Sequence, residues 1–113
     1  MPFINVKTNV PIPPQTEEKL KAAFGQAIAA IPGKSESWLM VGFEPDSRLW
    51  FRGSDEPAAM VQISVFGSSS KDAYGKLTGS VCDSLNAELG LKKDRIFVSY
   101  AETSNWGWNG SNF

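Results

Sequence analysis

The stretch that decides the fold is AAMVQISVFGSSSKDAYGKLTGSVCDSLNAELGLKKDRIFVSY, residues 58–100. Residues 58–66 are apolar and rich in β-branched side chains and predict a strand, as do residues 95–100. Between them, apolar side chains recur every three or four residues, which is typical of a helix with one buried face. The buried positions are Tyr74, Leu77, Val81, Leu85 and Leu89. The stretch therefore predicts a strand–helix–strand unit.

The first half of the chain has the same pattern. Residues 2–8 predict a strand, residues 38–43 a second strand and residues 48–51 a short third one. A helical face lies between the first two strands, formed by Leu20, Ala23, Phe24, Ala27, Ile28 and Ile31. A shift of 58 residues superimposes the two halves, so we interpret residues 2–51 and 58–102 as a repeat of pattern, followed by a tail, 103–113.

Helix ends are marked by residues that favour them. Thr16 can cap the first helix, and Pro32-Gly33 ends it. Ser69 or Ser70 can cap the second helix, and Gly90 ends it. In the tail, Asn109-Gly110 predicts a hairpin turn.

A single α/β domain over residues 1–113 follows (α+β in some schemes). Two βαβ units with right-handed crossovers predict a four-stranded mixed sheet with both helices on one face. The pattern predicts strands that are apolar on both faces, with Ile4 and Phe3 on opposite parities. We therefore expect other copies of the chain to cover the second face, as in a ring of subunits, with the short strand and the tail pairing with neighbouring edges.

Composition excludes several function classes. The net charge is −1 with no basic stripe, which argues against a nucleic-acid partner, and no apolar run is long enough to span a membrane. The chain has no histidine and one cysteine, Cys82, so neither a multi-cysteine zinc site nor a histidine-activated nucleophile is expected. Any acid or base must be a carboxylate, lysine, tyrosine or a chain terminus. We expect no cofactor and no metal.

Several motifs together resemble one family. MPFINVKTNVP at 1–11, PGK at 32–34, GSDEPAAM at 53–60, DRIFVSY at 94–100 and WGWNGSNF at 106–113 are similar to macrophage migration inhibitory factor, in the tautomerase superfamily. The resemblance covers essentially the whole chain. It implies a homotrimer and an isomerase activity, the keto–enol tautomerisation of phenylpyruvate-like aryl α-keto acids.

The resemblance makes Pro2 the acid/base. Removal of Met1 would give Pro2 a free secondary amine, whereas retention of Met1 would leave an amide that cannot act as a base. The amine must be neutral near pH 7, and apolar surroundings or a nearby cation lower its pKa. Lys34 is the candidate cation and would also attract the substrate carboxylate.

The resemblance also implies the rest of the pocket. The substrate-binding residues would be Lys34, Ser64, Phe66, Phe97 and Ser99, with the Phe66 N–H as a second carboxylate donor. The pocket wall would be Trp38, Val65, Trp106, Trp108 and Phe113. Phe97 and Ser99 would come from a neighbouring subunit, so the sites would lie between subunits.

Three departures from the family pattern affect this pocket. The family often has tyrosine and asparagine where this chain has Phe97 and Ser99, which removes hydrogen bonding to a substrate's 4-hydroxyl group. Trp106 replaces a smaller aliphatic residue, which narrows the mouth. The cysteines of the CxxC motif in some members are absent at Ala58 and Val61, so thiol–disulfide exchange is not implied.

Two other functions stay open. The chain could be a cytokine-like, receptor-binding homologue with a vestigial pocket. It could also catalyse another superfamily reaction, dehalogenation or decarboxylation, which usually needs a pocket arginine; none of Arg48, Arg52 and Arg95 is assigned there. No signal peptide is recognisable, so the expected location is the cytoplasm, with a signal-peptide-independent route for any secretion.

Overall fold

The computed structural model describes residues 1–113, and most of them form one sheet and two helices. In chain order the elements are β1 (Pro2–Thr8), α1 (Pro14–Ala27), β2 (Met40–Glu44), β3 (Ala59–Phe66), α2 (Lys71–Leu89), β4 (Ile96–Thr103), β5 (Gly107–Trp108) and β6 (Ser111–Asn112). No helix combines the length and hydrophobicity needed to cross a membrane.

The four long strands form a mixed sheet in the order β2-β1-β3-β4. β1 runs parallel to β2, β3 runs parallel to β4, and the two central strands β1 and β3 are antiparallel. Each parallel pair is connected through one helix. The prediction of two βαβ units in a four-stranded mixed sheet is therefore confirmed.

One face of the sheet is covered by both helices. Alternate strand residues such as Ile4, Val6 and Val61 point to this face and are fully buried. They pack with Phe24 of α1 and Leu77 of α2 in a single core cluster of 15 buried residues. Both helices lie on one face, as the sequence predicts.

The uncovered face is mixed in character. Phe3 and Met60 lie on it, but they alternate in register with polar side chains such as Asn5 and Gln62. The expectation that both faces are apolar is therefore wrong for this face. Because side chains alternate along a strand, each polar residue between two core positions must point away from the helices.

The predicted short strand 48–51 does not form. Its only β-type contact is an isolated bridge between Phe51 and Ser54, across a turn in which Arg52 and Gly53 have φ of 53° and 71°. Residues 48–50 have no neighbouring strand within the chain with which to hydrogen-bond, so they remain a loop.

The helix ends are partly as predicted. Ser70 caps α2 by accepting a hydrogen bond from the Ala73 N–H at 3.1 Å, and Gly90 ends it with φ of 68°. The Thr16 cap is wrong, since α1 begins at Pro14 with its proline in the first turn, where a missing N–H costs nothing.

The second strand starts later than its sequence suggests. Residues Glu36–Trp38 form a 3-10 turn, so β2 begins at Met40 instead of Trp38. Trp38 is consequently a turn residue at the end of the sheet, 45% exposed.

Candidate active site

The start of the chain lies between two strands of the sheet. Pro2 is the first residue of β1, is buried, and pairs with Val65 of the antiparallel strand β3. Met1 continues this pairing, because its carbonyl oxygen accepts a hydrogen bond from the Phe66 N–H at 3.1 Å. With Met1 in place the nitrogen of Pro2 is part of an amide.

Lys34 reaches the same place from the other side. It follows the Pro32-Gly33 turn, in which Gly33 has φ of 81°, and its backbone N–H bonds to the Ile31 carbonyl at 3.1 Å. Its half-buried side chain extends so that Nζ donates to the carbonyl oxygen of Phe66 at 2.9 Å. The positive charge is therefore fixed next to the chain start by a backbone hydrogen bond.

This charge acts on the terminal amine. Partial burial lowers the pKa of the Met1 amine below its usual value, and the charge of Lys34 and a hydrogen bond from its side chain lower the pKa further. The two causes are distinct but act in the same direction: loss of water disfavours the charged amine, and so does repulsion from the Lys34 ammonium.

Aromatic side chains surround this position. Met1, Gly33, Trp38, Phe66 and Phe113 line a depression of about 230 Å³. The rings of Phe66 and Phe113 lie 5.6 Å apart, centre to centre. The Lys34 ammonium, the backbone of Phe66 and an aromatic wall thus lie together at the chain start, and such a set of groups can bind an anion that carries an apolar ring.

The tail completes the wall from the same chain. Asn109 and Gly110 form the predicted hairpin turn, with φ of 54° and 87°. The hairpin brings Trp108 against Trp38, edge to face with ring centres 5.0 Å apart, and parallel to Phe113 at 6.4 Å.

Trp106 and Val65 lie beside the depression without lining it. The Trp106 carbonyl accepts a hydrogen bond from the Phe113 N–H at 3.0 Å and so holds the end of the tail. Val65 points into the core, is 1% exposed and pairs with Pro2, so it helps to hold Pro2 in place.

Three of the expected site residues lie elsewhere in the chain. Ser64 and Ser99 face a separate depression of about 220 Å³ on the uncovered side of the sheet. Phe97 pairs with Met60 of β3, five residues along that strand from the partner of Pro2, a separation of about 16 Å. A single chain therefore does not bring Phe97 or Ser99 to Pro2.

Other polar groups lie away from the depression at the chain start. A depression of about 390 Å³ lies at the loop around Arg48 and Asp55 and contains none of the predicted site residues. No arginine lines the depression at the chain start. No group of three or more histidine, cysteine, aspartate or glutamate side chains could hold a metal ion.

Two features of the site were not foreseen from the sequence. One is that the Met1 carbonyl occupies the Phe66 N–H, and the other is that Lys34 is anchored on the Phe66 carbonyl. Both depend on the pairing of Pro2 with Val65, and the repeat predicts the two strands without giving their register.

Comparison with known proteins gives a consistent result over the whole length. The family model described as macrophage migration inhibitory factor matches residues 1–113. The chain is 34% identical to macrophage migration inhibitory factor of Meriones unguiculatus over 118 residues, covering 100% of this chain and 99% of the relative. It is 31% identical to that of Mus musculus over 118 residues, with the same two coverages.

Solved structures agree with the sequence relatives. The crystal structure of Leishmania major MIF2 superimposes with a TM-score of 0.94 at 32% identity, covering 100% of this chain and 97% of that one. The macrophage migration inhibitory factor of Toxoplasma gondii, at 23% identity and a TM-score of 0.91, covers 98% and 99% and has the same fold.

Proposed function

Because the chain belongs to the macrophage migration inhibitory factor family, we propose that it is a phenylpyruvate-type keto–enol tautomerase in which Pro2, freed by removal of Met1, is the acid/base. The observation that carries the proposal is the convergence of the chain start, the Lys34 ammonium and the Phe66 N–H at one depression with aromatic walls.

Removal of Met1 changes two groups at once. Cleavage of the Met1–Pro2 bond converts the amide nitrogen of Pro2 into a secondary amine. It also removes the carbonyl that accepts the Phe66 N–H, so this donor becomes available to a carboxylate. Lys34 and the Phe66 N–H then bind the substrate carboxylate together. Lys34 attracts it by charge, and the N–H orients it through a directional hydrogen bond.

The reaction needs only a proton transfer between two positions. The neutral Pro2 amine takes a proton from the carbon next to the keto group. The electron pair of that C–H bond forms a carbon–carbon double bond while the π pair of the carbonyl moves onto its oxygen. The protonated Pro2 amine then gives up its proton as the oxygen takes one up to give the enol, so in net one proton moves from carbon to oxygen and Pro2 is neutral again. The reverse direction returns the proton to carbon. A base poised near the working pH typically contributes about 10²–10⁴ in rate.

The environment favours a neutral amine. Burial and the Lys34 charge already lower the pKa of the Met1 amine one residue further out. Pro2 is itself a buried residue at the start of β1, so we expect burial and the Lys34 charge to act in the same way on its free amine.

We propose that the complete site lies between subunits of a homotrimer. Phe97 and Ser99 face the side of the sheet that no helix covers, where a second copy can pack, and neither reaches Pro2 within one chain. A neighbouring copy would place Phe97 at the distal end of the pocket, against the aryl ring of the substrate.

Replacement of the proline tests the catalytic proposal. Intact mass first establishes that Met1 is absent from the purified protein. The parent should then tautomerise phenylpyruvate, while Pro2→Gly, which has a primary amine without the ring, should lose about 10²-fold or more in kcat/KM. A Met1-free parent with no turnover beyond the Pro2→Gly protein would refute the enzyme proposal.

Receptor binding is the second candidate function. It is favoured by the relatives' description as migration inhibitory factors and by the exposed rings of Trp108 and Phe113 at the pocket mouth, which are 53% and 56% exposed. Binding of this kind would persist in Pro2→Gly, whereas turnover would not.

A further inference from the structure

The ring of Phe51 is fixed from several sides. The guanidinium carbons of Arg52 and Arg95 lie 5.1 Å and 5.4 Å from its centre. The ring of Phe97 meets it edge to face, with 4.8 Å between centres and 72° between planes. Cations attract the electron-rich face of an aromatic ring, and the edge-to-face arrangement is a favoured geometry for two rings.

The backbone of Phe51 is fixed as well. Phe51 and Ser54 exchange two hydrogen bonds, of 2.9 Å and 3.1 Å, across the two-residue turn of Arg52 and Gly53. Both turn residues have positive φ, as this tight turn requires. The turn therefore fixes the backbone from which the Phe51 ring projects.

Arg95 ties this loop to the start of β4. It is 8% exposed, and its guanidinium donates to four carbonyl oxygens at 3.0–3.1 Å. The four acceptors are the carbonyls of Phe51, Ser54, Glu56 and Pro57. Because Phe97 comes two residues after Arg95, the clamp fixes the loop relative to Phe97.

Phe97 itself has little other support. Its side chain is 55% exposed on the uncovered face of the sheet, and the ring that contacts it is that of Phe51. Its neighbours on that face are Met60, its register partner on β3, and Ser99 and Ala101, which follow it on the same parity, and none of the three has a ring. Phe51 is thus the aromatic contact that restricts the orientation of the Phe97 ring.

We propose that Phe51 is a positioning residue that orients Phe97 and thereby sets a preference for aryl substrates without a para-hydroxyl group. The inference rests on the proposed function, in which Phe97 closes the distal end of a neighbouring subunit's pocket. Phe97 has no hydrogen-bond donor or acceptor on its ring, so a para-hydroxyl facing it gives up water without a replacement partner.

The expected size of the preference for substrates without a para-hydroxyl group follows from this loss of water by the hydroxyl without a replacement partner. Apolar pockets reject an added hydroxyl only moderately, by up to about 100-fold. The rejection also requires that the ring stay in place and exclude water. A Phe97 ring that rotates freely admits water beside the hydroxyl, and the preference falls.

The first experiment measures the ring and needs no activity. The aromatic proton resonances of Phe97 are recorded by NMR for the parent, for Phe51→Leu and for Trp50→Leu. Trp50 is the matched control, because it is the adjacent aromatic residue, is 70% exposed and has no ring contact with Phe97. Phe51→Leu should move the Phe97 resonances toward those of a mobile phenylalanine, and Trp50→Leu should not. Unchanged Phe97 resonances in folded Phe51→Leu would overturn the positioning role.

The second experiment measures the preference. The ratio of kcat/KM for phenylpyruvate to that for 4-hydroxyphenylpyruvate should fall about fivefold or more in Phe51→Leu, in line with the strength of an aromatic pair. The ratio should stay at the parent value in Trp50→Leu and in Phe51→Tyr, which keeps the ring. Phe51→Leu combined with Phe97→Leu should lower the ratio no further than Phe97→Leu alone.

The outcomes distinguish the positioning role of Phe51 from the proposed tautomerase function. Equal loss of activity toward both substrates in Phe51→Leu would make Phe51 a structural residue only and overturn this inference, while tautomerisation by the parent still supports the proposed function. A Met1-free parent without turnover would refute the proposed function and the substrate preference with it. The NMR result would then report on the contact between the two rings alone.

Discussion

At the scale of single residues, Lys34 joins the two halves of the candidate site. Its hydrogen bond to the Phe66 carbonyl holds a positive charge beside the chain start, and this charge contributes to the lowered pKa of the terminal amine. Its importance was predicted from the family resemblance. Its partner was not, because Phe66 is 32 residues away and only the packed structure places its carbonyl there.

Loss of this charge should affect both binding and pH dependence. In Met1-free protein, Lys34→Gln should lower kcat/KM for phenylpyruvate about 10- to 100-fold, since a hydrogen bond to a charged group is lost. The pKa of the Pro2 amine should rise, because no neighbouring cation then opposes its protonation. Tautomerisation should therefore reach its full rate only at higher pH, so the acid limb of the pH–rate profile should shift to higher pH.

The matched control is Lys21→Gln, at an exposed position of α1. It should leave both kcat/KM and the acid limb unchanged. An acid limb at the same pH in Lys34→Gln as in the parent would show that the lysine does not act on the catalytic amine.

At the scale of elements, α2 shows how local sequence fixes both ends of a helix. The sequence predicted its end at Gly90 and a cap at either Ser69 or Ser70, because capping and left-handed conformations are properties of individual residue types, and the structure shows that Ser70 is the cap. Contacts along its length come from packing. Tyr74 donates to Glu102 of β4 at 2.6 Å, and burial together with this carboxylate raises the pKa of Tyr74 to about 12.

The cap of α2 can be tested within a pair of neighbouring serines. Ser70→Ala should lower the free energy of unfolding by about 1 kcal/mol, because the Ala73 N–H loses its acceptor. Ser69→Ala should change it by less than about 0.5 kcal/mol, since only the backbone of Ser69 takes part in a hydrogen bond. Urea unfolding of both variants measures the difference, and equal values would argue against the cap.

Two glycines of the same region should respond with opposite signs. An added Cβ meets no atom within 4 Å at Gly90 or Gly79. Gly90→Ala should nevertheless destabilise by about 1 kcal/mol, because its φ of 68° is unfavourable for alanine. Gly79→Ala, inside the helix and exposed, should stabilise by about 0.5–1 kcal/mol. Thermal unfolding measures the change in stability of both variants, and stabilisation by Gly90→Ala would contradict the left-handed conformation.

The segments that the sequence predicted wrongly are those whose structure depends on a neighbouring strand or on the residues just before them. Residues 48–51 have strand-like side chains, but no strand within the chain is beside them. Thr16 is a good cap residue, yet the preceding proline starts α1 two residues earlier.

At the scale of the whole molecule, the uncovered sheet face is the main unexplained surface of a single chain. It carries Phe97 and Met40, which are 55% and 68% exposed, together with polar side chains. A large mixed surface of this kind suits contact between copies, and it is here that the residues missing from the single-chain site are found.

The assembly can be tested by adding a charge to this face. Sedimentation equilibrium of the parent at micromolar concentration should give three times the chain mass. Met40→Asp should dissociate the trimer and reduce tautomerase activity, because an unpaired carboxylate would be buried between subunits. Gln26→Asp, at an exposed position of α1, carries the same added charge and should do neither. A parent that is active as a monomer would refute the site between subunits.

The sequence by itself determined the strand–helix–strand repeat, the ends of α2 and the tail turn, because side-chain periodicity and allowed φ values are encoded in neighbouring residues. Together with its motifs, it also indicated Pro2 and Lys34. Only the tertiary structure decided that Met1 faces Phe66, that Lys34 is held on the Phe66 carbonyl, and that Phe97 lies against Phe51 and far from Pro2. These contacts join segments distant in sequence, and their geometry depends on strand register and packing, which no local pattern specifies.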